Sequence, residues 1–130
     1  MSRFTKNTIL LGCFLMALAV ILGAFGAHAL ADRIESHQLE VYKTGVFYQF
    51  VHSLGILIVG LLSLHISEVK LRWVIIYFGL GILFFSGSVY LLSTSSITGI
   101  PRTFLGPVTP LGGLLFIAGW LNLAYQLSRK

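Results

Sequence analysis

Four stretches, at about 8–30, 46–66, 71–94 and 108–125, run for roughly twenty residues each with Arg72 as the one charged side chain among them. A helix of about 20 apolar residues, rising 1.5 Å per residue, covers the roughly 30 Å of a bilayer's hydrocarbon core. Only 10% of the 130 residues are charged, against about 25% in a soluble domain, so the chain cannot coat a water-facing surface. In lipid the backbone must satisfy its own hydrogen bonds, which leaves helices or a closed barrel. These runs are continuous rather than alternating, which excludes the barrel. The fold class expected is therefore all-α: an integral membrane four-helix bundle, one transmembrane domain over 1–130.

The connections refine this picture. Asp32 and Glu35 have capping-box spacing ahead of Ile34, Val41, Tyr42 and Gly45, which predicts a short interfacial helix between the first and second spans. A few residues around 67–70 join the second and third spans and force an antiparallel hairpin. The third connection, STSSITGIPRTFLGP (93–107), is rich in turn residues. Thr109 followed by Pro110 reads as an N-cap and first-turn proline opening the last helix.

Charge placement sets orientation. Arg3, Lys6, Lys70, Arg72, Arg129 and Lys130 fall on one side of the membrane, whereas Arg33, Lys43 and Arg102 fall on the other. By the positive-inside rule both termini face the cytoplasm. The net charge of +5 thus marks topology, and no nucleic-acid partner is expected. Ala27-His28-Ala29 resembles a signal-peptidase site, but the apolar run 9–25 exceeds the usual limit of about 15 residues. The lone Cys13 lies inside an apolar run and is read as a small buried hydrophobe.

Small and polar residues carry the remaining signal. Ala19, Gly23 and Ala27 recur every four residues, a strip that lets helix backbones approach closely in lipid. The glycine pairs Gly79 and Gly81, and Gly112 and Gly113, are expected to mark further close crossings. With the amino end inside, His28 lies near the outer end of the first span, and Gln49, His52 and Ser53 share a face of the second. Ser86 and Tyr90 on the third span and Thr109 on the fourth fall at similar height, so a polar pocket is expected in the outer part of the bundle. The inner half is aliphatic down to Asn122 and His65, which argues against a constitutive pore. His37 and His65 are interfacial. No nucleophile and base occur at recognisable spacing, no carboxylate lies near the cluster, and no metal or cofactor is expected. Haem or metal ligation through His28 and His52 is a third possibility, on two ligands alone.

GAFGAHAL (23–30), YQFVHSLGIL (48–57), FSGSVYLL (85–92) and GPVTPLGGLLFIAGW (106–120), in this order and spacing, resemble the signature blocks of the YgdD/YwdK-like family of small multipass membrane proteins. The family pattern often has glycine where this chain has Ala29. The resemblance implies a multipass helical bundle in a bacterial inner (plasma) membrane and transfers no catalytic residue or cofactor. The function expected is non-enzymatic: membrane integrity or stress tolerance through contacts with membrane lipids, a homo-oligomer or a membrane-protein partner. The alternative is a small-molecule binder or transporter using the outward polar pocket.

Overall fold

The computed structural model describes residues 1–129. Helix α1 spans Arg3–Leu30, α2 Ser36–Leu62, α3 Glu68–Ser93, α4 Ser95–Thr98 and α5 Val108–Ser128. The four long helices, of 28, 27, 26 and 21 residues, are each long and apolar enough to cross a membrane. The short α4 stops at Gly99, whose φ of 71° is the left-handed conformation that glycine adopts freely.

Helix α1 has a local reason to form. The Ser2 hydroxyl accepts from the Thr5 amide and caps α1, and no proline interrupts the run that follows. Two helices contain one wide turn apiece, Gly26–Leu30 in α1 and Ile82–Ser86 in α3. In the second of these the Gly87 amide reaches back five residues to the Ile82 carbonyl. Such a turn holds an extra residue and so shifts the side-chain register on either side of it.

Three sequence expectations need correction. No separate interfacial helix precedes the second span. Instead α2 begins at Ser36, and its early residues Tyr42 and Gly45 are already buried in the bundle. With no breaker between Ser36 and Leu62, and with Tyr42 anchored to α1, these turns stand up rather than lie flat. Glu35 occupies the N-cap with extended backbone and makes no side-chain capping bond. The one short helix, α4, follows the third span. Finally, α5 opens two residues early, with Pro107 at its N-cap, and Thr109 is turned to another use. The second connection is a tight turn over 63–67, slightly before its expected place.

Neighbours in the chain pack antiparallel. Along α1 and α2, Gly12 meets Leu57, Gly23 meets Val46 and Gly26 meets Tyr42. Along α3 and α5, Gly81 meets Phe116, Gly112 meets Phe85 and Gly119 meets Phe78. The main core joins Ile56, Val59, Leu71, Val74, Phe78, Ile82, Phe116 and Leu123, from α2, α3 and α5. A smaller one joins Leu30, Tyr42 and Val46. Large apolar side chains such as Phe14, Ile21, Leu114 and Leu121 remain exposed around the rim, as a bundle solvated by acyl chains requires.

The packing strip on α1 holds in part. Ala19 is fully buried and Gly23 faces Val46, but Ala27 is exposed. The wide turn begins at Gly26 and places that residue, one position early, against the Tyr42 ring. Gly81 and Gly112 sit at close crossings, and Gly113 makes ordinary contact with Phe85. Gly79 does not mark a crossing, for a Cβ there would meet nothing within 4 Å.

Candidate functional site

Gln49 is the centre of the polar residues. It is 2% exposed, and its side-chain amide donates from Nε2 to the Leu15 carbonyl of α1 at 2.9 Å. Its Oε1 accepts from the Tyr90 hydroxyl of α3 at 2.8 Å. The Tyr90 ring packs 5.1 Å from that of Tyr42, which donates to the Leu22 carbonyl at 2.7 Å. One turn toward the loop, the Ser86 hydroxyl donates to the Gly45 carbonyl at 2.7 Å. Three helices are thus pinned together by side chains that each bridge to a neighbour. A hydrogen bond of this kind contributes about 0.6 kcal/mol on average within a membrane.

His52 belongs to a different neighbourhood, between α2 and α5. Its Nδ1 lies 2.7 Å from the Tyr48 carbonyl, which can only accept, so Nδ1 carries the hydrogen. Nε2 then accepts from the Trp120 indole at 3.1 Å. The ring stacks on Phe116 with centroids 3.4 Å apart. Both nitrogens of a neutral imidazole are therefore engaged, and a ligating role would require loss of the Trp120 bond.

The remaining residues divide further. His28 is exposed and makes no side-chain hydrogen bond among the described residues, so the structure does not bring it into the cluster. It lies two residues past Gly26, which packs against Tyr42, and Tyr42 is ten residues, about 15 Å of helix, from His52. The two histidines do not converge on one centre, and among the described residues no three His, Cys, Asp or Glu side chains do so. Thr109 pairs with Ser88 at 2.6 Å and ties α3 to α5 instead of facing Gln49. Ser53 is completely buried, and its hydroxyl has no partner among the described residues.

The height of the cluster also differs from expectation. Leu15, which Gln49 touches, lies 12 residues from Arg3 and 15 from Leu30, about 18 Å and 22 Å along α1. The Gln49 pair therefore sits near mid-height rather than in the outer third. The reason is Tyr90: its Cα is near the end of α3, but its side chain runs back along the helix toward the centre, as long helical side chains do.

Open space lies beside these residues and faces sideways. A groove of about 360 Å³ runs between α1 and α3, past Leu11, Leu15, Leu18 and Leu22 on one wall and Gly79 and Gly87 on the other. Among the described residues that line it, only Gln49 and Tyr90 have polar side chains. A second recess of about 310 Å³ is bounded by aromatic rings, among them Tyr48, Phe85, Phe116 and Trp120, with His52 at its edge. Sequence reasoning missed Tyr42, Ser88 and Trp120. Tyr42 was assigned to an interfacial helix, and nothing local distinguishes Trp120 from an ordinary lipid-facing indole.

Comparison with known proteins places the chain among membrane proteins. Residues 22–113 match the family described as "Protein of unknown function (DUF423)". The UPF0382 membrane protein YwdK of Bacillus subtilis is 41% identical over 122 residues, covering 91% of this chain and 93% of that protein. The chain belongs to the DUF423/UPF0382 family. A UPF0382 membrane protein of Staphylococcus haemolyticus is also 41% identical over 118 residues, covering 91% and 92% of the two chains. One from Staphylococcus saprophyticus is 40% identical over 118 residues. The family's members are thus matched over nearly their whole length, and the resemblance read from four short blocks holds. No solved structure matches the chain. The matched segment of the DUF423/UPF0382 family contains Gln49, His52, Ser86, Tyr90 and Thr109, along with both wide turns.

Proposed function

We propose that this member of the family is a non-enzymatic integral membrane protein that supports membrane integrity or stress tolerance through lipid contacts. The α1–α3 groove carries this reading, because it is a lateral, almost wholly apolar opening at the depth of acyl chains. The polar side chains support it too, since they are mostly spent on bonds between helices rather than arrayed around a reacting centre. Its relatives are bacterial membrane proteins, and the lysine and arginine distribution supports an inner-membrane orientation with both termini in the cytoplasm.

The test is deletion followed by complementation. Cells lacking the protein should show altered permeability, membrane potential or stress survival, restored by the native chain and less well by Gly79→Leu, which fills the groove. Unaltered cells across these conditions would remove the proposal.

A second reading, a small-molecule binder or transporter, draws on the aromatic recess beside His52. Trp120→Ala and His52→Ala should then abolish a ligand-induced thermal shift seen with flat apolar compounds. A shift that survives both substitutions would count against it.

A further inference from the structure

The connection from α3 to α5, residues 94–107, differs in kind from the α1–α2 connection at the same end of the bundle. Residues 31–35 include three charged side chains, Asp32, Arg33 and Glu35. Residues 94–107 hold one, Arg102, and no carboxylate. They expose instead three large apolar side chains, Ile97, Ile100 and Phe104. Phe104 is 79% exposed, more than Phe14 at 65% on the lipid-facing side of α1. In water such a group is unfavourable, whereas at a bilayer surface it is an anchor.

Helix lengths set the depth of this connection. With 21 residues, α5 is about 31 Å long, barely more than a hydrocarbon core of about 30 Å. Arg129 follows its far end at headgroup level, so Val108 stands at the opposite boundary of the core. Ser88 of α3 is level with that boundary, because its hydroxyl lies 2.6 Å from that of Thr109. From there α3 continues only to Ser93, five residues or about 7.5 Å further. The headgroup layer on each side is about 5–8 Å deep, so the connection starts and ends within it. Turns keep its last part low: the Leu105 and Gly106 amides donate to the Arg102 carbonyl, and the Val108 amide donates to that of Leu105. Phe104 therefore stays near the level of Val108.

Arg102 identifies the partner. Its Nε donates to the Ser95 hydroxyl at 2.7 Å, which ties the two halves of the connection together and fixes the guanidinium. Both Nη groups are left without a carboxylate, for the one ion pair among the described residues joins Lys43 to Glu40. A guanidinium fork matches phosphate bidentately. At this depth phosphate is the anion that a bilayer supplies, and the apolar side chains beside Arg102 match the acyl chains below it. A carboxylate on a soluble protein would satisfy the arginine and leave Phe104 unexplained.

We infer that the α3–α5 connection is a foot set into the membrane surface. Phe104, with Ile97 and Ile100, enters the upper part of the acyl chains, and Arg102 holds the phosphodiester of a phospholipid in that leaflet. On the orientation proposed above this is the outer leaflet. The contact is separate from the α1–α3 groove and goes beyond the reading of that groove.

The test uses the full chain in vesicles of phosphatidylethanolamine and phosphatidylglycerol. A nitroxide is attached at the exposed Thr103→Cys in a Cys13→Ala background, and at Asp32→Cys as a reference for water. Power saturation by oxygen and by an aqueous nickel chelate reads the depth of each label. Oxygen should dominate at Thr103 and the chelate at Asp32, and Phe104→Ser should move the Thr103 label toward the Asp32 value. Solid-state NMR dephasing of arginine Nη nitrogens by lipid phosphorus reads the second contact. One dephased signal should be present in the native chain and lost in Arg102→Gln. A Thr103 label as open to the chelate as the Asp32 label overturns the inference, since it leaves the connection in water and free for a soluble protein. Dephasing that Arg102→Gln leaves unchanged overturns it equally. Either failure leaves the groove reading standing, because Gly79→Leu complementation tests that separately.

Discussion

Glycine performs opposite tasks on the two sides of α3. Toward α5, a Cβ at Gly112 would collide with the backbone of Phe84 and Phe85, and one at Gly119 would lie 2.6 Å from the Phe78 ring. These glycines let two helices touch. Toward α1, Gly79 and Gly87 have nothing against them, and the helices stay apart with a groove of about 360 Å³ between. One residue type thus seals one interface and opens the other. In lipid, where apolar contact with a neighbouring helix or with acyl chains is nearly equivalent, close backbone approach is what holds helices together. The α3–α5 side is expected to be the rigid half of the molecule and the α1–α3 side the adaptable one.

Gly112→Ala is the strongest way to break this contrast. The obstructing atoms are backbone and cannot rotate aside, so a loss of about 1–3 kcal/mol is expected in an unfolding titration in detergent micelles. A midpoint unchanged from the native protein would mean that the tight side is not tight. Next comes Trp120→Phe, which removes the indole donor from His52 and should destabilise by about 0.6–1.7 kcal/mol. The accompanying nitrogen chemical shift of His52 Nε2 should move, because its lone pair is released; an unmoved resonance would dissociate the two rings.

Ser53→Ala bears on the boundary between the halves. The hydroxyl is buried without a partner among the described residues, so its removal should be neutral or stabilise by up to about 1 kcal/mol. A clear destabilisation would show that Ser53 has a partner, such as a bound molecule. The smallest effect is expected for Gly79→Ala, within about 0.5 kcal/mol of native or slightly stabilising, since alanine favours helix and the added methyl meets nothing. If Gly79→Ala proved as damaging as Gly112→Ala, the two sides would no longer differ.

Much of the fold was legible because membrane insertion reads a local quantity. Each residue contributes its own transfer free energy, so four apolar runs announce four helices whatever their partners. Boundaries were less legible. Asp32 and Glu35, at capping-box spacing, marked the start of α2 as interfacial, yet Glu35 makes no capping bond and Tyr42 is buried with its hydroxyl on the Leu22 carbonyl of α1. Helix continuity through 36–62 depended on that anchor in α1, which no local pattern reveals.

The site was legible by residue and not by grouping. Gln49 and Tyr90 bond to each other, and Ser86 makes a separate bond from α3 to the Gly45 carbonyl of α2. His28, His52 and Thr109 were assigned to the same pocket on the ground of common height and went elsewhere. Height along a helix follows from counting residues at 1.5 Å each, but the direction of a side chain depends on which way the helix is turned. The wide turns at Gly26–Leu30 and Ile82–Ser86 alter that rotation partway along α1 and α3.

The amino-acid sequence by itself determined that this chain is a set of four membrane-spanning helices, since burial in lipid is summed residue by residue along each run. Only the tertiary structure decided that Gly26 replaces Ala27 at the α1–α2 contact, that Trp120 is the partner of His52, and that Gly79 opens a groove while Gly112 closes an interface. Those outcomes turn on rotation about the helix axis, which one extra residue in a turn is enough to change.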